Sequence, residues 1–436
     1  MNQRGKIPAL LLSLVMIFSA FAVLPLQTAF ADGEENIALG KPAYANRNSS
    51  NAAVITDGDD TTYWSGREIP LYAEVDLQAN YKLEKVVIKQ PLKVSEVRSY
   101  DTAFNVYGST DGRTFDRIGT MTAPEKADAD GLVFEIQNQK SYRIVRVLSL
   151  MSTKGSSAST YISELEVYGE KTADPVAEIS DTFSVSSYEE WLKKNCNVDL
   201  SAIKDANGKY DIKDTYTKED TVAALEGLVS RILGEEYLSY FTFEIGAPLL
   251  NGNDYYEITD KDGKIHIKGN EGVSVASGLN YYLKYFCNVH ISQETKQTKM
   301  PEKVVPVGKT IYQESPYEVR YAYNYCTLSY TMPFYGFDEW QRELDYLMLS
   351  GVNVVLDTTA TEALWVLYLQ NYGYSAREAL QFVSGYTWKA WWLMGNLEGA
   401  GGPVSFTWME DTVEMARRNQ RYLAVMGADP CLQAFT

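Results

Sequence analysis

Apolar and polar positions alternate over short runs through the first third of the chain. The runs Tyr72–Leu77, Lys85–Ile88 and Tyr142–Val147 place an apolar residue at about every second position, and turn-forming residues separate them. This period of two is typical of strands that bury one face. The pattern predicts an all-β sandwich over residues 32–170.

The pattern then changes to a mixture of helical and strand-like segments. Residues 171–182 contain few large apolar side chains and are predicted to form a linker. Capping boxes at Ser187–Glu190 and Thr217–Asp220 predict two helices, and Asp262-Gly263 joins two alternating runs as expected for a hairpin. Together these segments predict a small α+β domain over residues 183–312.

From about residue 313 strand-like runs alternate with long helical ones, which is typical of β/α units on a parallel sheet. The predicted strands cover residues 321–330, 352–356 and 428–435. The predicted helices cover residues 337–350, 361–372, 375–384, 387–394 and 409–426. A (β/α)8 barrel takes about 250 residues, and only about 120 follow Ser315. We therefore expect the first three β/α units of a truncated barrel over residues 313–436, with a compact arrangement other than a barrel as the alternative.

The charge of the chain limits the class of partner. The formal net charge is -17, and no run of Lys or Arg reverses it locally. Such a chain repels phosphate backbones and anionic lipid surfaces, so we expect no nucleic-acid partner. The 32 Tyr and 8 Trp suit stacking on sugar faces, although most such rings fill cores.

The first residues have the pattern of a secretory signal peptide. Arg4 and Lys6 precede an apolar run over residues 8–26, and a small-residue cleavage site follows. We expect a signal peptide over residues 1–31 and a mature chain that begins near Asp32. No later apolar run is long enough to cross a membrane. The expected location is therefore extracellular, either free or attached to the surface through C-terminal modules.

Cysteine and histidine give no metal-binding or disulfide pattern. Four cysteines are widely and irregularly spaced, at Cys196, Cys287, Cys326 and Cys431. Neither a disulfide framework nor a zinc site is indicated, and mostly buried thiols are expected. His266 and His290 do not pair either, so metal-dependent catalysis is not predicted.

Four segments give the first domain a family resemblance. They read NIALGKPA near its start, DGDDTTYW from Asp57 to Trp64, VYGSTDG from Val106, and YISELEVYGE from Tyr161. The domain resembles the coagulation-factor 5/8 C-type (discoidin) family, which includes many carbohydrate-binding modules. In that family Trp64 is expected in the core. Three residues in predicted loops are candidates to contact a glycan, and they are Arg67, Arg98 and Tyr100.

The same motifs contain candidate ligands for calcium. Oxygen ligands at Asp57, Asp59 and Thr62 share one loop, and Glu164 comes from the last strand. Hard cations prefer such oxygen ligands. The resemblance implies a structural calcium site of this kind, completed by backbone carbonyls such as those of Val54 and Ser163. The alternative is an Asp-Gly turn with a hydroxyl cap and no cation.

The third region carries a second resemblance. It reads NYCTLSYTMPF from Asn324, EWQRELDYLMLSGVNVVL from Glu339, EALW from Glu362 and AWWLMGNLEGAGGP from Ala390. These segments resemble the alpha-N-acetylglucosaminidases of glycoside hydrolase family 89. The resemblance implies an exo-hydrolase that removes terminal alpha-linked N-acetylglucosamine with retention, acting on glycans and needing no catalytic cofactor. Such chemistry needs two carboxyl groups about 5 Å apart.

The resemblance also assigns candidate residues. It places both catalytic glutamates on later strands, which we expect beyond Thr436. Candidate residues of the sugar subsite are Asn324, Cys326, Trp391 and Asn396. An inert thiol is the alternative for Cys326, and core packing is the alternative for Trp391. The acidic residues Asp357, Glu362 and Glu398 are not assigned to catalysis.

The sequence is also compatible with a second function. The chain would then be a non-catalytic carbohydrate-binding protein that acts through its discoidin domain.

Overall fold

A computed structural model describes most of the chain. The described residues are 35–67, 71–91, 101–122, 130–137, 140–152, 159–179, 181–293, 296–397 and 404–432. The predicted signal peptide, Arg98, Tyr100 and Glu398 lie outside them.

The first region is an antiparallel β-sandwich, as predicted. Its strands are β1 Ala43–Ala45, β2 Trp64–Arg67, β3 Leu71–Lys89, β4 Asp101–Ser109, β5 Asp116–Thr122, β6 Leu132–Glu135, β7 Ser141–Ser152, β8 Ser159–Ile162 and β9 Glu164–Lys171. In the described residues a seven-stranded sheet is built around β3, and β2 pairs with β8 alone. Two runs expected as separate strands are both in β3, which turns at Gln78, where φ is 62°. Trp64 is fully buried, as expected.

The second region is an α+β unit. Its helices are α1 Tyr188–Cys196, α2 Lys218–Ile232 and α3 Gly272–Tyr285, and its strands are β10 Phe241–Ile245, β11 Tyr255–Lys261, β12 Lys264–Gly269, β13 His290–Ile291, β14 Lys296–Gln297 and β15 Ile311–Glu314. Both predicted capping boxes are formed, at the starts of α1 and α2. The predicted hairpin joins β11 and β12 through Asp262 and Gly263, which both have positive φ. Such a turn favours glycine at its second position.

The third region is a series of β/α units. Its strands are β16 Tyr321–Ala322, β17 Val354–Leu356 and β18 Asp429–Cys431, and its helices are α4 Tyr325–Tyr330, α5 Phe337–Leu349, α6 Thr361–Gln370, α7 Ala376–Phe382, α8 Lys389–Leu393 and α9 Phe406–Met426. The strands are parallel and lie in chain order, as in the first part of a barrel. The predicted strand over residues 321–330 is wrong beyond Ala322, because Asn324 begins α4.

The second and third regions share one apolar core. Ile267 and Leu279 of the α+β unit belong to the same buried cluster as Trp340, Leu347 and Met426 of the β/α units. A separate cluster surrounds α6 to α9, and Phe183 stacks on Phe406 within it, with ring centroids 6.0 Å apart. The segment after the predicted linker therefore packs onto the β/α units.

All four cysteines are free thiols. Only Cys287 is buried, and Cys196, Cys326 and Cys431 are half-buried. The expectation of mostly buried thiols is therefore wrong for three of them.

Candidate functional site

Three parallel strands bring distant segments to one edge of the sheet. The residues that follow β16 and β17 include Tyr323, Asn324 and Asp357. Ligands of parallel β/α folds bind at the carboxyl ends of strands. A sugar subsite is therefore expected at this edge of the sheet.

A strained turn connects β16 to α4. Tyr323 has φ of 75°, a left-handed conformation that is costly for a residue with a side chain. Its hydroxyl donates to Glu343 Oε2 at 2.8 Å. Burial, and then the nearby Glu343, raises the pKa of Tyr323, so this hydroxyl stays protonated and can donate. The half-buried side chain thus fixes the turn from which Asn324 follows. No pattern in the sequence indicated this role of Tyr323.

Asn324 is the N-cap of α4. Its Oδ1 accepts from the Thr327 backbone N at 3.1 Å and from Thr327 Oγ1 at 3.2 Å. This cap is the local reason why the chain becomes helical here. The side chain is exposed, and its amide nitrogen faces no described hydrogen-bond acceptor. Cys326 lies within the first turn of α4 rather than on a strand.

Helix α4 packs against α8, which carries Trp391. Ala390 N donates to Ser329 Oγ at 2.9 Å. The Trp391 ring meets the Tyr330 ring edge-on, with centroids 5.1 Å apart. Asn396 is exposed just after α8, and its backbone N donates to Trp391 O at 2.8 Å. Trp391 is only half-buried, so part of its ring is available to a ligand.

Two acidic residues close to this edge are already bound by neighbours. Asp357 is buried and accepts from Thr359 N at 2.8 Å and from Gln420 Nε2 at 3.3 Å. Glu362 is completely buried, and its Oε2 accepts from Lys389 Nζ at 2.7 Å. The sequence did not indicate Lys389. Both carboxylates are thus already engaged by neighbouring side chains or backbone.

One described cavity lies away from this edge. It has a volume of about 330 Å³ and lies between α2 and α5. At its wall Arg231 and Asp345 form a bidentate ion pair, with both nitrogen-oxygen distances 2.7 Å. Its wall includes none of the residues that follow β16 and β17, so cavity volume does not identify the sugar subsite.

In the sandwich, most of the predicted cation ligands lie together. Asp57 Oδ2 accepts from Thr62 Oγ1 at 2.9 Å, and Glu164 Oε1 accepts from Gly58 N at 2.9 Å. Glu164 is buried, and its Oε2 has no hydrogen-bond partner among the described residues. Asp59 differs, because its carboxylate accepts from Thr61.

The electrostatics of this loop are unfavourable without a cation. Burial, followed by the neighbouring Asp57, raises the pKa of Glu164 to about 7. Among the described residues, no group of three or more His, Cys, Asp or Glu side chains is placed so that it could hold a metal ion. Further ligands would therefore be hydroxyl or carbonyl oxygens.

Arg67 is exposed at the end of β2, opposite Ser159 of β8.

Family models match three parts of the chain. Residues 320–436 match the alpha-N-acetylglucosaminidase (NAGLU) tim-barrel domain, and residues 223–307 match the alpha-N-acetylglucosaminidase (NAGLU) N-terminal domain. Residues 41–165 match the F5/8 type C domain.

Several relatives support the same assignment. Human alpha-N-acetylglucosaminidase is 30% identical over 216 residues, which are 49% of this chain and 29% of the human protein. A family 89 glycoside hydrolase from Clostridium perfringens, in complex with 2-acetamido-1,2-dideoxynojirmycin, is 33% identical with a TM-score of 0.77, covering 92% of this chain and 43% of that one. A CpGH89 variant from Clostridium perfringens in complex with its substrate GlcNAc-alpha-1,4-galactose is 33% identical with a TM-score of 0.76 and the same coverage. The chain thus spans less than half the length of these relatives.

Proposed function

We propose that this chain serves the hydrolysis of terminal alpha-linked N-acetylglucosamine, because residues 320–436 and 223–307 match the family models of the alpha-N-acetylglucosaminidase tim-barrel and N-terminal domains. One observation supports this most directly. Helix α4, which contains Cys326 and begins after the parallel strand β16 with Asn324 as its N-cap, packs against α8, which carries Trp391. The Clostridium perfringens relative binds a GlcNAc-alpha-linked substrate, which agrees with this site.

The candidate residues have suitable chemistry for binding a sugar. The exposed amide of Asn324 can hydrogen-bond to sugar hydroxyls, and the half-buried indole of Trp391 can lie against the ring or the acetamido methyl. The exposed Asn396 and the half-buried Cys326 are further candidate polar contacts. We propose a retaining mechanism with an acid/base and a nucleophile about 5 Å apart. Since Asp357 and Glu362 are bound by neighbours, we propose that both catalytic carboxyls come from later strands.

The expected activity is release of p-nitrophenol from p-nitrophenyl alpha-N-acetylglucosaminide by a protein that contains this chain and the later strands. Trp391→Ala is expected to lower kcat/KM about tenfold or more, a loss of about 1.4 kcal/mol in transition-state binding. The matched control is Trp388→Ala, because Trp388 is exposed and lies beside Trp391. Residues 32–436 alone are expected to release no p-nitrophenol.

Three outcomes would count against this proposal. The first is equal hydrolysis of the beta-linked p-nitrophenyl glycoside, and the second is an unchanged kcat/KM in Trp391→Ala. The third is turnover by residues 32–436 alone that survives removal of contaminating hydrolases, which would place the catalytic carboxyls inside this chain.

We further propose a structural calcium ion in the sandwich, held by Asp57, Thr62 and Glu164. The buried Glu164 Oε2 without a partner supports this, because a cation would satisfy it. Backbone carbonyls, and the Asp59 carboxylate after a side-chain rotation away from Thr61, would complete the oxygen shell. The ion would fix the loop after residue 56 to the start of β9.

Calcium is expected to remove the pH dependence of sandwich stability that Glu164 causes. The pKa of Glu164 is about 7 in the fold and near its ordinary value of 4.5 in the unfolded chain. Without calcium the unfolded state ionises first, so the free energy of unfolding falls as the pH rises from about 4.5 to 7. Bound calcium favours the carboxylate and removes this loss. Urea unfolding at pH 5 and pH 8, in calcium and in EDTA, measures both effects.

Glu164→Gln tests whether Glu164 causes the pH dependence and the stabilisation by calcium. This variant is expected to lose both the pH dependence in EDTA and the stabilisation by calcium. Asp60→Asn is the matched control, since Asp60 is exposed and forms an ion pair with Lys89 instead. Identical melting curves of the parent chain in calcium and EDTA would refute the site.

We also propose that the protein is secreted. The signal-peptide pattern over residues 1–31 supports this, and no helix among the described residues is long and apolar enough to cross a membrane. N-terminal sequencing of the exported protein should give a start near Asp32.

A further inference from the structure

A cleft of about 190 Å³ lies between the β-sandwich and the β/α units. We propose that this cleft binds one anionic sugar unit, a pyranose that carries a carboxylate or a sulfate. The site is separate from the α4–α8 subsite, and its occupancy does not depend on the hydrolysis proposed above.

The cleft concentrates positive charge on an otherwise acidic chain. Arg146 of β7 and Arg377 of α7 both bind the single carboxylate of Glu74, at 2.6 Å and 2.8 Å. Glu74 is only 3% exposed, so this carboxylate is fully committed to them. Two guanidinium groups that share one carboxylate leave one positive charge. Arg113 also lines the cleft and is paired with Glu410, at 2.8 Å.

The sequence did not reveal this arrangement. The sequence contains no run of Lys or Arg. The fold nevertheless brings together three arginines that are far apart along the chain. A buried surplus charge is costly unless an anion compensates it. A bound carboxylate or sulfate would supply that compensation with paired hydrogen bonds, the geometry that guanidinium groups favour.

Both guanidinium groups are held in place before any ligand binds. That of Arg146 lies between two rings, 4.1 Å from the centroid of Tyr72 and 3.7 Å from that of Phe115. That of Arg377 lies 4.9 Å from the centroid of Tyr44. Groups fixed in this way lose little entropy on binding, so a small anionic ligand can be held with useful affinity.

A glycine makes room for Arg377. Gly112 has φ of 73°, and a Cβ at this position would lie 2.8 Å from Arg377 Nη2. Arg377 Nη1 is used by Glu74, whereas Nη2 has no hydrogen-bond partner among the described residues. A donor that is positioned but unused is available to a ligand.

The remaining wall indicates a sugar rather than a bare ion. Tyr386 and Phe406 present aromatic rings to the same cleft. Rings of this kind, with a few fixed polar groups, are typical of sites for ligands that have both apolar faces and hydroxyls. The volume corresponds to about six water molecules, which fits one monosaccharide ring but not an oligosaccharide.

Isothermal titration calorimetry on the whole chain tests this proposal. The ligands are glucuronic acid, N-acetylglucosamine 6-sulfate, neutral N-acetylglucosamine and inorganic sulfate. At least one of the two anionic sugars is expected to bind tenfold or more tightly than neutral N-acetylglucosamine and inorganic sulfate, and to weaken as salt is raised. The better of the two identifies the anionic group. Equal affinity for neutral and anionic sugars, or for inorganic sulfate and the sugars, would refute the proposal.

Variants locate the binding to the cleft. Arg377→Gln is expected to weaken binding tenfold or more, but it also removes a contact between the two regions. Arg113→Gln, at the partly exposed rim, is the second variant and is expected to weaken binding about threefold without loss of folding. Its matched control is Arg418→Gln. Arg418 forms an ion pair with Glu414, both residues belong to α9, and neither lines the cleft. Unchanged affinity in a folded Arg113→Gln and in Arg377→Gln would refute the site.

Discussion

Replacing Lys389 by methionine is expected to lower the free energy of unfolding by about 3–5 kcal/mol, the usual cost of removing one member of a buried ion pair. Glu362 is completely buried, and Lys389 is its one described cationic partner. Its other oxygen, Oε1, already lacks a hydrogen-bond partner in the described part of the chain. The variant would leave a carboxylate inside the protein with no compensation. Urea unfolding followed by tryptophan fluorescence measures the loss.

Two further variants distinguish the ion pair from a general effect of losing a lysine. Lys194→Met, on the exposed side of α1, is expected to change stability by less than about 0.5 kcal/mol. The double variant Glu362→Gln with Lys389→Met should recover much of the stability, because a neutral amide costs less to bury than a carboxylate. A loss below about 1 kcal/mol in Lys389→Met would show that water or another group compensates Glu362.

The pair also connects the structure of the site to its proposed function. Glu362 begins α6 after β17, and Lys389 begins α8, which carries Trp391. The ion pair therefore fixes the helix that presents the indole to the α4–α8 contact. A lysine and a glutamate 27 residues apart give no local signal, which is why the sequence suggested only a helix start at Glu362.

Features that depend on neighbouring residues were predictable from the sequence. The capping boxes at Ser187, Thr217 and Ser375 each satisfy backbone donors within one helical turn, so their effect does not depend on the rest of the fold. The apolar run that contains β17 was equally clear, because a strand covered on both faces has no polar alternation. The loop from Asp57 was predictable through its motif.

The segment after β16 shows where local signals conflict. Its tyrosines and threonines favour a strand, and the predicted strand therefore continued to Tyr330. The side chain of Asn324 instead caps a helix through Thr327, a spacing that the sequence does contain. The buried Glu343 then fixes the left-handed turn at Tyr323. That partner comes from α5, and so the turn was not predictable from the sequence.

Glu74→Gln is expected to destabilise the chain by about 3–5 kcal/mol, because it removes the one carboxylate that two arginines share. Arg146 belongs to the sandwich and Arg377 to the β/α units, so Glu74 connects the two regions. A double-mutant cycle between Glu74→Gln and Arg377→Gln should give a coupling energy of about 1–3 kcal/mol. Urea unfolding of the parent chain, the two single variants and the double variant provides the measurement.

The matched control is Glu135→Gln, a glutamate at the exposed end of β6 that points to solvent. It should change stability by less than about 0.5 kcal/mol and show no coupling to Arg377. A coupling near zero between Glu74 and Arg377 would mean that this ion pair does not hold the sandwich and the β/α units together. In that case the surplus charge of the cleft would no longer be fixed in position, and a preorganised anion site would lose its structural basis.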